Sequence, residues 1–387
     1  MKIKLISLLL FIFIQSFAQN KLPIIHSNSE SVKIIENKVM ITNWNLVAST
    51  IPDIYITGKF IKSQHLKIIT DIDSLEINLK PNENFDFIVL KNQKDTCFTR
   101  FQSYKTQSFS KTKPSKTEKI PFKLTPFNNI QVQAVLNKKD SVNIHFDTGA
   151  SDFYLTKDAI KKYFIPKNGP LTMNDISDNT FTVGNLKWEH QQIYPNDLTA
   201  QGNEGLFGWN VFDGKILEVN YDSNEMTVYT KLPKISKDYE KFDIEFMREQ
   251  FRINIAFEID GKKYNDQFLF DTGFQKAVML DHGSLLQKNI STESLQTLNT
   301  SILRNSRNEE IPLKTVNIDK LIFGKYSINN IPSELNNYNK PTGYGTHFIG
   351  SDIIKRFNLI FDFQKNVVYL KPNNNFKDKY FEAKHKL

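Results

Sequence analysis

The chain has 387 residues, 40% of them hydrophobic, 24% charged and 12% aromatic; that length favours two or three domains, and that composition argues against a disordered, collagen-like or long coiled-coil protein. The formal net charge of +8 does not form a basic face, because Lys2 and Lys4 stand at the N-terminus and residues 105–123 carry six lysines against the single acid Glu118. The remainder is close to neutral, which argues against nucleic-acid binding by phosphate tracking.

Residues 1–18 begin with a short basic stretch, continue with an apolar run from Leu5 to Ile14 and end with the small residues Ser16 and Ala18 before Gln19. This pattern predicts a secretory signal peptide, too short to span a bilayer, so that the mature chain is exported, periplasmic or secreted, with no stable membrane insertion after cleavage. Cys97 is the single cysteine and cannot form an internal disulfide. Residues 19–104 read as a β-rich module. Leu75, Ile77 and Leu79 alternate with polar neighbours, and the apolar stretches Phe85–Leu90 and Thr96–Phe101 flank a hairpin at Lys91–Asp95. Residues 105–119 are Lys/Ser/Thr-rich, contain Pro114 and are expected to be a linker.

From residue 120 the chain repeats itself. Val142-Asn-Ile-His-Phe-Asp147-Thr148-Gly149 is answered by Asp266-Gln-Phe-Leu-Phe-Asp271-Thr272-Gly273, each Asp-Thr-Gly following an apolar strand. Phe153-Tyr154-Leu155 matches Ala277-Val278-Met279, Val183-Gly184 matches Phe323-Gly324, and Leu206-Phe207-Gly208 matches Phe348-Ile349-Gly350. Leu217–Tyr221 matches Leu359–Phe363, and hairpin turns follow at Asp222–Asn224 and Gln364–Asn366. The expected lobes are 120–233 and 234–374, followed by a polar tail, 375–387. Duplication already supplies the symmetry that a homodimer would bring, so a monomer is expected.

By ordinary residue usage, Asp-Thr-Gly should occur by chance on the order of 0.05 times in such a chain, so two copies in matched contexts carry meaning. If the halves meet across a pseudo-two-fold axis, Asp147 and Asp271 face each other and share one proton. A water between them can then be deprotonated by one carboxylate while the other hydrogen-bonds a substrate carbonyl, which is general acid/base hydrolysis without metal or cofactor. Gly149 and Gly273 let the backbone turn beneath the carboxylates, and the hydroxyls of Thr148 and Thr272 need buried partners, most simply backbone of the opposite half.

At these residues the chain resembles the aspartic peptidases of the pepsin-like and retroviral-protease-like group. The resemblance covers roughly residues 120–372 and rests on the two Asp-Thr-Gly loops and the apolar-apolar-Gly motifs ending at Gly208 and Gly350. It implies an all-β bilobal fold, a pair of double-ψ β-barrels, with the apolar-Gly segments passing beneath the catalytic loops. It also implies an extended peptide or protein substrate and a flap, which by order belongs near residues 166–181. Ala150 and Phe274 stand where pepsin-like enzymes usually carry Ser or Thr. Losing that hydroxyl should raise the carboxylate pKa and displace activity toward weakly acidic or neutral pH. The lysine-rich segment is a solvated linker, or a basic pro-segment lying across the dyad. A catalytically inactive bilobal peptide-binding protein, disabled by Phe274, is the alternative to an endopeptidase. A third reading gives the work to the N-terminal module, with the lobes as scaffold.

Other signatures are weak or missing. Gly208 to Gly214-Lys215 has the wrong spacing for a phosphate loop, and neither His-Glu-x-x-His nor Gly-x-Ser-x-Gly occurs. Trp188, Trp209 and Tyr221 are expected in the core rather than in a subsite.

Overall fold

The computed structural model describes residues 22–37, 40–106, 109, 111, 115–166, 169–196, 202–247, 250–304, 310–336 and 345–381. The expected signal peptide and the end of the tail lie outside these residues. The chain is mostly β and divides into two units, one formed by residues 1–57 and 63–103, the other by 58–62 and 104–387. No helix among the described residues is long and apolar enough to cross a membrane.

The first unit holds two four-stranded sheets. One contains the expected hairpin, Asn84–Lys91 against Asp95–Gln102, flanked by Ile24–Ser27 and Asp53–Ile56 in parallel. The other orders Met40–Asn45, Ser31–Glu36, Gln64–Ile69 and Ser74–Leu79 as an antiparallel sheet. Alternation buries one face of each: Ile34, Leu66 and Ile68 from one sheet, Phe87, Val89, Cys97 and Phe101 from the other. Tyr55 joins the two, its ring packing on Trp44 and Phe101 and its hydroxyl donating to Glu36 Oε1 at 2.7 Å.

The second unit repeats one plan twice. In its first half the strand Asp140–Asp147 pairs antiparallel with Ile130–Leu136 and parallel with Gly205–Gly208, which pairs antiparallel with Phe153–Leu155. In its second half Lys262–Phe270 pairs antiparallel with Gln250–Ile259 and parallel with His347–Ile349, which pairs antiparallel with Val278–Asp281. The hairpins after Val183 and Phe323 turn at Gly184 and Gly324, both left-handed at φ +59° and +62°. Both apolar-Gly strands run into a single helical turn, Trp209–Phe212 and Ser351–Ile354.

A six-stranded sheet takes three strands from each half, ordered Glu240–Asp243, Val367–Pro372, Phe357–Asp362, Ile216–Asn220, Glu225–Tyr229, Thr117–Pro121. Its centre is the antiparallel pair Ile216–Asn220 and Phe357–Asp362, so the pseudo-two-fold passes between them. One apolar core runs through both halves and includes Phe146, Phe207 and Phe212 as well as Phe251, Phe270 and Phe361. Trp209 and Tyr221 are buried and Trp188 packs against this core, as their residue types suggest.

Three expected boundaries need correction. The linker does not reach 119: Thr117–Pro121 is a strand, with Ile120 buried and Lys119 Nζ 2.7 Å from Glu225 Oε1. Polar composition there reflects an exposed edge face and says nothing against backbone pairing. Residues 58–62, expected within the N-terminal module, belong to the second unit. Lys59 is buried in that unit, donating to Asp213 Oδ1 at 2.5 Å and to the Phe363 carbonyl at 2.7 Å, with its ammonium over the rings of Trp209, Phe246 and Phe363. The second lobe does not end at 374 but takes in the polar tail through Phe381: buried Arg356 donates to the carbonyls of Phe376 and Asp378, and the Phe381 amide donates to Asp352 Oδ2 at 2.7 Å. Phe376 and Tyr380 also pack on the core, apolar anchors inside a segment that reads as polar on average.

Candidate active site

Each Asp-Thr-Gly loop leaves the end of a strand whose inner neighbours are locked in the core. Phe146 and Phe270 are 0% and 1% exposed, so alternation turns Asp147 and Asp271 to the opposite face. The apolar-Gly strands then press on these loops. A Cβ on Gly208 would stand 2.3 Å from the Ala150 carbonyl oxygen, and one on Gly350 would stand 2.1 Å from that of Lys276. Only glycine lets the strands pass so close.

The two loops interlock. The Thr148 amide donates to Thr272 Oγ1 at 2.9 Å, and the Thr272 amide donates to Thr148 Oγ1 at 3.0 Å. In turn the Thr148 hydroxyl donates to the Phe270 carbonyl at 2.6 Å and the Thr272 hydroxyl to the Phe146 carbonyl at 2.9 Å. Both threonines are buried, so all four bonds are made away from water, where an unmade bond would be costly. The buried hydroxyls have therefore found partners in the opposite half.

Asp147 and Asp271 are brought together. A Cβ on Gly149 would lie 2.6 Å from Asp271 Cγ, and one on Gly273 would lie 2.5 Å from Asp147 Cγ, so each glycine abuts the opposite carboxylate. The two carboxyls are close enough for each to bear on the other's charge. Gly149 N–H donates to Asp147 Oδ1 at 2.8 Å; Gly273 and Phe274 N–H donate to Asp271 Oδ1 at 2.8 and 3.0 Å. Burial, and then the neighbouring Asp147 charge, hold the Asp271 carboxyl well above its ordinary range, against the lowering effect of the Phe274 and Gly273 amides. Backbone amides serve both carboxyls, and neither Ala150 nor Phe274 brings a hydroxyl to them.

Some residues near the pair escape the sequence reading. Asn129 Nδ2 donates to the Thr272 carbonyl at 3.0 Å, and Gln250 Nε2 donates to the Gly149 carbonyl at 3.0 Å. They occupy corresponding places, each at the start of the strand that pairs with the Asp-bearing strand, and each ties its own half to the opposite loop. Only three-dimensional register reveals this. His145 is 4% exposed, with Nε2 3.8 Å from Asp147 Oδ2. Its signal was present in the aligned repeats, as a polar residue facing Leu269.

Among the described residues of 166–181, where a flap is expected, there is no long hairpin. The described part of this stretch is a turn of helix, Met173–Ile176, closed by the Thr172 and Asp175 side chains, and then the start of the strand Asn179–Val183. At the corresponding place in the second half stands a long hairpin, Thr297–Arg304 with Glu310–Phe323. The two halves differ here.

No protein-family model matches the chain, and no curated protein matches it. The assignment of function therefore rests on the site itself.

Proposed function

We propose that the chain is an aspartic endopeptidase of the pepsin-like and retroviral-protease-like kind, its two halves a pair of double-ψ barrels, hydrolysing peptide bonds by water activated between Asp147 and Asp271. The observation that carries this reading is the reciprocal seating of the two loops, each glycine against the other half's carboxylate and each threonine hydroxyl on the other half's backbone. Such a scaffold fixes two carboxyls in contact, a costly arrangement that serves acid/base chemistry.

In this mechanism Asp271, with its raised pKa, holds the shared proton and donates a hydrogen bond to the scissile carbonyl. Asp147, whose side chain is 14% exposed, takes a proton from the attacking water. The tetrahedral intermediate collapses when that proton passes to the leaving amine. The substrate is a peptide or protein, the working form a monomer, and the leader sends the chain to the periplasm or beyond.

Asp147→Asn and Asp271→Asn, compared with the unaltered chain on a peptide library, test the reading. Each should lower cleavage by about a hundredfold or more, with folding unchanged by circular dichroism; equal cleavage by all three proteins would end it. The alternative, a peptide-binding protein without turnover, draws on the bulk of Phe274 beside Asp271. It is separated by the same assay, as retention of peptides that are never cut.

A further inference from the structure

We propose that the substrate side chains on the two sides of the cut bond differ in size: the wall beside Asp147 receives a large aromatic side chain, whereas the wall beside Asp271, filled by Phe274, admits a small aliphatic one. This rests on the peptidase reading and adds the class of peptide bond it would take.

The argument comes from register. Residues directly paired on neighbouring strands point to the same face of a sheet, and residues two apart on one strand share that face. His145, two before Asp147, pairs with Leu206; Leu206 pairs with Tyr154; Tyr154 pairs with Tyr194. The second half repeats this row as Leu269, two before Asp271, then Phe348, Met279 and Glu334. Each row therefore crosses the sheet two residues below one Asp, on the face that its carboxylate occupies.

The rows are unlike in chemistry and in the bulk of the side chain beside each carboxylate. Leu269, Met279 and Phe348 form an apolar cluster separate from the main core, and Phe274 packs against it, its ring 6.2 Å from that of Phe348. Phe274 cannot swing its backbone away, because its amide donates to Asp271 Oδ1 and its carbonyl accepts from the Ser351 amide at 2.6 Å and the Ser351 hydroxyl at 3.0 Å. The corresponding residue in the first half is Ala150, whose single methyl group stands in place of that ring. The row on that side runs from the His145 imidazole past Leu206 to an aromatic pair, Tyr154 and Tyr194, 5.5 Å apart, with Tyr194 38% exposed. Ring faces and edges of this kind favour an aromatic guest.

The test maps cut sites by mass spectrometry after incubating the full chain with a peptide library. The unaltered protein should cut bonds that join a large aromatic residue to Gly, Ala or Val. Phe274→Ala should raise kcat/KM for peptides with Leu or Phe at the small position, relative to Ala, by roughly tenfold or more. Phe274→Leu should move the ratio the same way by less, and serves if the alanine variant does not fold. Ala150→Phe should lower cleavage next to aromatic residues. Cuts that vanish in Asp271→Asn yet show no size difference across the bond, or a ratio unchanged in both Phe274 variants, would overturn the inference while leaving the peptidase reading intact. The absence of any Asp271-dependent cut would remove both.

Discussion

Asp271 carries a penalty that its replacement should relieve. Its folded-state pKa is raised, so between the ordinary value of 3.8 and the raised one the folded chain binds more protons than the unfolded chain. Stability from this group is present at low pH and is lost as the pH rises through the folded value. Asp271→Asn, which removes the charge without changing the shape, should therefore raise the melting temperature at pH 7 by a few degrees, with the gain shrinking as the pH falls toward 3.8. Calorimetry at three or more pH values checks this; a gain that stays constant or grows with acidity would contradict the proton assignment. The pair itself was legible in the residues, because Asp-Thr-Gly occurs twice in matching contexts. Its wiring was only half legible. The threonine hydroxyls had to find buried partners, whereas Asn129 and Gln250 could not be singled out among ordinary amides until strand register put them at the same place in each half.

At the scale of elements, the two apolar-Gly strands set the height of the catalytic loops. An alanine at Gly208 or Gly350 must displace backbone carbonyls, of Ala150 in one case and of Phe274 and Lys276 in the other, because no flexible side chain lies there to yield alone. Gly208→Ala and Gly350→Ala should each cost about 2 kcal/mol or more by urea unfolding. Catalysis should suffer more than the stability loss explains, since an ångström of misplacement in one loop opens the carboxylate pair. A variant with full cleavage activity would show that the loops are held by the threonines alone. These strands could be read from sequence because an apolar pair before glycine and a following turn form a strong local pattern. The strand Thr117–Pro121 could not, as its residues are mostly polar and its partner, Glu225–Tyr229, lies about a hundred positions away. The flap was not legible for a related reason: no residue marks it, and position along the first repeat said nothing of the hairpin Thr297–Arg304 with Glu310–Phe323 in the second.

At the scale of the whole molecule, duplication explains why one apolar core and one six-stranded sheet hold both halves, and why 253 residues of this chain, 120–372, could be recognised as a pair from their residues alone. What composition could not reveal is the route of the polypeptide through residues 58–62. A buried lysine is rare without a partner, but nothing in Gly58-Lys59-Phe60-Ile61-Lys62 announces Asp213 or the Phe363 carbonyl as its destination. This path changes what a cut in the lysine-rich segment can do. Scission between residues 105 and 116 should yield two fragments that still co-elute on a sizing column in native buffer and separate in urea, whereas free elution of the N-terminal piece would mean that Lys59 does not hold. A leading piece joined at one point can be shed, and shedding is how a zymogen wakes. Here the leading piece is sewn into the body it precedes, so a single nick leaves it in place, more a permanent fitting than a detachable guard.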